Sequence, residues 1–117
     1  MIIHNINNRV YRERAGPNDL EVAVLISPEF GAGWSTWMTP KDTSALFDPG
    51  LVGMLIAGSD ESAIDVYCRQ RWPTQFPWRG LAGLVIEWVP SGVNFIVHEY
   101  DGAESIQYQR DFEWIVG

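Results

Sequence analysis

The chain has 117 residues, 46% hydrophobic and 13% aromatic, enough for one modest core and too few for two ordinary domains. Eight Lys and Arg residues against fifteen Asp and Glu residues give a formal net charge of −7, which disfavours conventional nucleic-acid binding. One cysteine cannot form an internal disulfide, no apolar run reaches the ~18 residues of a membrane span, and the first twenty residues are too polar for a signal peptide. We expect a single domain over residues 1–117, cytoplasmic and without membrane contact.

The first forty residues predict strands and loops. Residues 1–14 mix apolar and polar side chains without a settled period, and we interpret them as one edge strand. Turn formers at 15–19 precede a β-branched apolar run that predicts a buried strand over about 21–27. Pro28 ends that strand, and residues 30–40, with two glycines and two tryptophans, predict an ordered loop or a short strand.

Two short helices follow. Asp48 and Pro49 have the chemistry of an N-cap and a first helical residue, and Gly58 suits a left-handed C-terminal position, so the first helix is predicted over about 49–57. Ser59 is predicted to cap a second helix that Pro73 closes.

Three side chains of the second helix, Tyr67, Cys68 and Arg71, share a face with the apolar Ile64. Asp65 and Arg69 are spaced for an i,i+4 ion pair. Cys68 is therefore expected in the core and inert.

The second half of the chain predicts antiparallel strands. A proline-rich crossing loop at 73–80 leads to alternating apolar residues from 84 to 89, a turn at 90–92 and a strand over 93–100. Asp101 and Gly102 begin the next turn, residues 105–109 return as a third strand, and 112–116 add a fourth strand or extend the third after a bulge. Short hairpins are expected to join the last three strands.

This order of elements predicts an α+β fold, with an antiparallel sheet of about four to five strands and two short helices packed on one face. Both faces of the hairpin over 84–100 carry apolar side chains, whereas one helical layer covers a single face. The surplus face, together with six tryptophans, predicts a second buried surface, most simply a homodimer.

The first candidate site is the segment that contains Gly33, Trp34, Ser35, Thr36 and Trp37. It lacks the third glycine of a dinucleotide fingerprint and the closing glycine of a serine nucleophile elbow. As a ligand pocket it offers glycines for close approach, two flat indole walls and two orienting hydroxyls. The commoner alternative is that the glycines form a turn and the tryptophans belong to the core.

The second candidate site is acidic and includes Glu99, Asp101 and Glu104, with Asp111 and Glu113 further on and only Arg110 to offset them. Such a surface can steer a basic partner, or imitate nucleic acid toward a protein that binds it. Edge strands also carry acids simply to avoid aggregation, and that alternative is the commoner one.

The remaining residues that could act as an acid, a base or a metal ligand form no recognised catalytic motif. Glu87 lies on a strand that looks buried, so it needs an arginine partner or a role in a cavity. His98 and Glu99 are adjacent on one strand and project to opposite faces, which prevents a simple acid–base pair. His4, His98 and Cys68 lack the spacing of a zinc site, and we expect neither a metal nor a cofactor.

Several separated segments, in order, resemble a family of small uncharacterised proteins carried on phages, prophages and other mobile elements such as integron cassettes. The segments are Gly31-Ala32-Gly33-Trp34-Ser35-Thr36-Trp37, Leu46-Phe47-Asp48-Pro49 with Leu51-Val52, Glu99-Tyr100-Asp101-Gly102 with Glu104-Ser105-Ile106, and Trp114-Ile115. The resemblance covers about residues 20–117 and leaves out the first nineteen. It implies an accessory protein of the bacterial or phage cytosol, and it carries over no activity and no catalytic residue.

These observations favour a non-enzymatic binding module, homodimeric, that engages a protein partner or a small ligand through the Trp34/Trp37 loop or the acidic C-terminal strands. One alternative is a small enzyme with Glu87 or Glu99 as a base, assisted by Ser35 or His98, in a cavity between helices and sheet. Another is an acidic inhibitor of a nucleic-acid-binding protein.

Overall fold

The computed structural model describes residues 1–29, 33–38, 43–74 and 83–108. Six strands and two α-helices lie in these ranges, and short 3₁₀ turns cover Ser35–Trp37 and Thr43–Leu46. The strands are β1 (Ile3–Ile6), β2 (Arg9–Gly16), β3 (Asp19–Ile26), β4 (Val85–Pro90), β5 (Phe95–Tyr100) and β6 (Ala103–Tyr108), and the helices are α1 (Pro49–Ile56) and α2 (Glu61–Arg71). The strand predicted over 112–116, most of the crossing loop at 73–80 and residues 31–32 of the tryptophan segment lie outside the described residues.

The N-terminal segment is a hairpin of two strands, so the prediction of one edge strand over residues 1–14 was wrong. β1 and β2 pair antiparallel from Ile3 opposite Arg12 to Ile6 opposite Arg9. Asn7 and Asn8 connect them with φ of 51° and 61°, the double left-handed conformation of a type I′ turn. Asparagine tolerates this conformation better than most residues, and an asparagine pair between two short strands is the sequence signal for it.

The central strand of the main sheet is β3, which begins two residues earlier and ends one residue earlier than predicted. The sheet has the order β1-β2-β3-β4 and is antiparallel throughout. Residues from Glu21 to Ile26 of β3 are all buried, which means that both faces of the sheet are covered here.

The hairpin predicted between β4 and β5 does not form. β4 pairs with β3 over six residue pairs, from Glu21 opposite Pro90 to Ile26 opposite Val85. β5 instead pairs with β6 in a separate two-stranded sheet. The turn predicted at Asp101 and Gly102 is confirmed and joins β5 to β6 with φ of 50° and 84°.

The helices follow the predicted signals closely. The Asp48 side chain caps α1 by accepting a hydrogen bond from Leu51 N at 3.0 Å, and Pro49 is the first helical residue. Gly58 lies just beyond the helix with φ of 72°, as predicted. The cap of α2 is Asp60 rather than Ser59, because the Asp60 carboxylate accepts from Ala63 N at 2.8 Å.

The main sheet lies between two covering layers. One face packs against the helices and Trp34 through a cluster that includes Val10, Ala23, Leu25, Ile86 and Trp88 of the sheet, with Leu84 just before β4. The other face, with Val22, Val24, Ile26 and Val89, packs against the β5–β6 hairpin and the second 3₁₀ turn. Of the apolar side chains on which the homodimer prediction depended, Val89 is covered by the chain itself, whereas Val85 and Ile96 stay 42% and 52% exposed.

The α+β class with two helices packed on an antiparallel sheet is confirmed. The homodimer stays a prediction. Within the described ranges, no helix combines the length and the apolar character needed to cross a membrane.

Candidate functional site

The two candidate sites predicted separately meet in the structure. We call residues 33–38 the tryptophan loop and the β5–β6 pair with its turn the acidic hairpin. Glu99 and Glu104 are direct partners in the ladder, so both project from the same face of the hairpin, and both accept hydrogen bonds from the tryptophan loop. The loop and the hairpin therefore form one structural unit.

Glu104 is the buried link between them, with only 2% of its surface exposed. Its Oε1 accepts from Ser27 N at 3.0 Å, and its Oε2 accepts from Trp34 N at 3.0 Å and Thr36 N at 3.1 Å. The Thr36 hydroxyl donates to the same Oε2, and the Glu104 amide donates to Ser27 O at 2.8 Å. Four donors satisfy this carboxylate, which holds the hairpin to the end of β3 and to the loop.

Trp34 belongs to the core and has no exposed surface. Its Nε1 donates to Ala45 O at 3.0 Å, and its ring meets the Trp72 ring edge to face at a centroid distance of 5.1 Å. Ser35 is buried as well. For Trp34, burial therefore supports the alternative that the tryptophans belong to the core. A side chain with no exposed surface does not form the wall of an open ligand pocket.

Trp37 differs from Trp34, because 45% of its surface is exposed. Its Nε1 donates to Glu99 Oε1 at 3.0 Å, and the same oxygen accepts from Gly102 N at 2.5 Å. The ring also lies directly over Gly33, where an added β-carbon would come within 2.2 Å of the Trp37 Cγ. Glycine at position 33 and the Glu99 carboxylate together fix the orientation of an exposed indole.

The surroundings of Trp37 are acidic. Residues 83–108 contain four carboxylates, those of Glu87, Glu99, Asp101 and Glu104, and neither lysine nor arginine. Asp101 lies at the exposed tip of the hairpin, and it makes no ion pair with the residues that the structure describes. Of the predicted site residues, Trp37, Glu99 and Asp101 are the ones that form a surface.

The predicted base Glu87 lies on the sheet face that the hairpin covers, opposite Val24. It is half-buried, and burial raises the pKa of its carboxyl group. The structure gives it no hydrogen bond or ion pair among the described residues, so the predicted arginine partner is not found there. His98 is exposed on the outer face of β5, away from Glu99, as the alternation predicted.

A second polar cluster was missed by the sequence analysis. Asp48 is 5% exposed, and besides capping α1 it accepts from the Tyr67 hydroxyl at 2.5 Å and from Arg71 Nε at 3.3 Å. Burial and the Asp48 carboxylate raise the pKa of Tyr67 to about 12. The signal was present in the sequence, because Tyr67 and Arg71 shared the inward face of the second helix with apolar residues.

Cys68 is fully buried beside this cluster, and burial raises the pKa of its thiol to about 12. The structure groups no three His, Cys, Asp or Glu side chains as metal ligands within the ranges that it describes. No family model, curated protein or solved structure matches the chain. The resemblance to mobile-element proteins therefore stays a prediction, and the geometry alone supports the proposals below.

Proposed function

We propose that the protein is a non-enzymatic binding module whose contact surface comprises Trp37, Glu99 and Asp101 and accepts an arginine- or lysine-rich segment of a partner protein. The observation that carries the proposal is the hydrogen bond from Trp37 Nε1 to Glu99, which holds an indole in place while 45% of its surface stays exposed. Exposed tryptophans that are already oriented lose little conformational entropy on binding, which is why they are common anchors in interfaces.

The chemistry of the surface matches a basic side chain. A guanidinium or ammonium group over the indole face is attracted by the negative ring face, and such contacts contribute about 0.5 to 1 kcal/mol when exposed and about 2 kcal/mol when desolvated. Glu99 contacts the ring, Asp101 lies in the turn two residues further on, and both add long-range attraction for a positive segment. The formal charge of −7 on the whole chain favours the same encounter.

The enzyme alternative has less support in the geometry. Three cavities lined by described residues lie near Asp48, near Phe95 and near Pro17, and neither Glu87 nor Glu99 lines any of these three. Glu99 is occupied by the indole and by Gly102 N. The acidic-inhibitor alternative is one form of the present proposal, because proteins that bind nucleic acid carry the basic segments that this surface suits.

The test is binding of short labelled peptides, measured by fluorescence polarisation at low and moderate salt. The panel contains ten-residue arginine-rich, lysine-rich, neutral and acidic peptides of equal length. We expect the basic peptides alone to bind, and their affinity to fall as salt rises. Equal binding of the neutral or acidic peptides, or no binding of the basic ones, contradicts the proposal.

Variants locate the binding. Trp37→Ala is expected to weaken binding at least fivefold, corresponding to about 1 kcal/mol, and Asp101→Asn about two- to threefold. The matched controls are Val66→Ala, another exposed apolar side chain, and Glu61→Gln, another exposed carboxylate, both on α2. If the controls weaken binding as much as the test variants, net charge alone attracts the peptides and the surface is not the site.

A further inference from the structure

The largest of the three cavities lies away from Trp37, at the other end of the acidic hairpin, and has a volume of about 530 Å³. It is bounded by the β1–β2 turn, the second 3₁₀ turn, the start of α1 and the end of α2. Its lining is mostly polar and includes Asn7, Asn8, Arg9, Thr43, Asp48 and Arg71. The volume is in the range of small-molecule pockets.

Two arginines give this cavity a charge opposite to that of the chain. Arg71 is held by Asp48 through its Nε, which leaves the other guanidinium nitrogens to face elsewhere. Arg9 is stacked on the Phe47 ring at 4.0 Å and has no carboxylate partner among the described residues. Two guanidinium groups against one carboxylate leave one net positive charge in a protein of charge −7.

The positive charge does not come from the start of α1, because Asp48 already caps that helix. Asp48 also accepts from Tyr67, whose hydroxyl lies so close to Gly50 that an added β-carbon would come within 2.3 Å of it. These contacts fix one wall of the cavity. Stacking on Phe47 orients Arg9 on another wall.

We propose that this cavity binds the phosphate group of a small phosphorylated molecule. A tetrahedral dianion matches donors that converge from several directions, here two arginines from different elements, two asparagines of the β1–β2 turn and the hydroxyl of Thr43. A planar carboxylate is satisfied by one bidentate arginine and leaves the other donors without a partner.

A neighbouring cavity has space for the rest of the ligand. Its volume is about 400 Å³, and it shares Arg9 and Phe47 with the first cavity. Although its lining is also mostly polar, it includes the aromatic or apolar side chains of Tyr11, Val22 and Phe95. A phosphate ester with an apolar or aromatic body thus has its charged group beside Arg9 and its body beyond Phe47.

The test is a titration of the isotope-labelled protein, followed by the amide resonances in two-dimensional NMR spectra at constant ionic strength. The probes are inorganic phosphate, phenyl phosphate and acetate. We expect both phosphates to shift resonances of residues 7–9, 43–44 and 71, phenyl phosphate to shift those of 93–95 as well, and acetate to bind at least fivefold more weakly. Shifts elsewhere only, no shifts, or equal affinity for acetate overturn the proposal.

Charge-matched variants complete the test. Arg9→Gln is expected to weaken phosphate binding at least fivefold, whereas Arg14→Gln, in the same strand but outside the cavity, changes it less than twofold. Asn8→Asp adds a carboxylate in a backbone conformation that aspartate tolerates, and it should abolish binding that Asn18→Asp preserves. Equal effects within either pair overturn the proposal. Peptide binding at Trp37 should not change in Arg9→Gln, which separates this inference from the proposed function.

Discussion

The substitution Glu104→Gln tests whether the buried carboxylate holds the tryptophan loop and the acidic hairpin together. Glutamine has the same shape, so packing is unchanged and only the acceptors differ. Glu104 Oε2 receives three donors, from Trp34 N, Thr36 N and the Thr36 hydroxyl, and Oε1 receives one, from Ser27 N. The amide oxygen of glutamine best replaces Oε2, which turns its NH₂ group toward the amide of Ser27.

The cost follows from these contacts. A hydrogen bond to a charged acceptor contributes about 1.5 to 3 kcal/mol, and the one from Ser27 N is lost. The other three persist but weaken, because bonds to a neutral oxygen have roughly half the strength of bonds to a carboxylate. The neutral side chain avoids the cost of burying a charge, which offsets part of the loss. We expect a net loss of about 2 to 4 kcal/mol in the free energy of unfolding.

Thermal and urea unfolding followed by circular dichroism measure this loss. For a chain of this length about 1 kcal/mol lowers Tm by about 4 °C, so Glu104→Gln should lower it by about 8 to 16 °C. The control Glu61→Gln, at an exposed carboxylate on α2, should change Tm by no more than about 2 °C. Hydrogen exchange should accelerate most at the amide of Ser27, whose bond is lost, and less at those of Trp34 and Thr36, whose bonds weaken. A fall in Tm of less than about 3 °C refutes the assigned role of Glu104.

Three further predictions concern Gly50, Cys68 and Glu87. Gly50→Ala should destabilise the fold by about 1 to 3 kcal/mol in urea unfolding, because the new methyl group overlaps the Tyr67 hydroxyl, and a stability unchanged within error contradicts the contact. The Cys68 thiol, with a pKa of about 12 and no exposed surface, should not react with a thiol reagent at pH 8 until the protein is unfolded. Because the pKa of Glu87 is raised in the folded state, its contribution to stability is lost as pH rises above the value of about 4.5 that holds in the unfolded chain. Glu87→Gln should therefore be more stable than the natural protein at pH 7, and this gain should vanish at pH 3; a gain independent of pH excludes the titration of Glu87 as its cause.

The helices were predictable because their signals are local. Asp48, Pro49 and Gly58 determine the ends of α1 through contacts within a few residues, and the structure has them in those roles. The cap of α2 shifted from Ser59 to Asp60 because both residues can accept from a helical amide and the sequence alone does not separate adjacent candidates.

The position of the acidic hairpin was not predictable in the same way. Apolar residues on both faces of the predicted strands indicated a second covering layer, and over the main sheet β5–β6 of the same chain contributes to that layer. Which strand pairs with which depends on contacts far apart in sequence, and the turn after Pro90 permits either outcome. The sequence pattern thus predicted that the second face of the sheet would be covered, but only the tertiary structure shows that β5 and β6 cover it.

For Glu104, the alternation of inward and outward residues along β6 predicts its position better than its charge does. Glu104 lies on the same face of the strand as Ile106 and Tyr108, which pack against the core. The alternation along the strand therefore predicts that the Glu104 side chain points inward. The prediction of an acidic surface grouped Glu104 with Glu99 and Asp101 and did not use this inward phase. An acid in phase with a buried apolar series is an expected partner for backbone donors, which is the role that Glu104 has.

The acidic hairpin connects the two proposed sites and permits a test of both. The Phe95 end of β5 contacts Phe47 edge to face at 6.4 Å, beside the phosphate cavity, and Glu99 lies four residues away, about 13 Å along the strand. At this separation, single changes such as Arg9→Gln and Trp37→Ala should act independently. Glu104→Gln loosens the hairpin that positions Glu99 and Phe95 alike, so at a temperature where the variant stays folded it should weaken both peptide and phosphate binding. If it weakens peptide binding alone, the Phe95 end is held by Phe47 without help from Glu104, and the two sites belong to separate structural units.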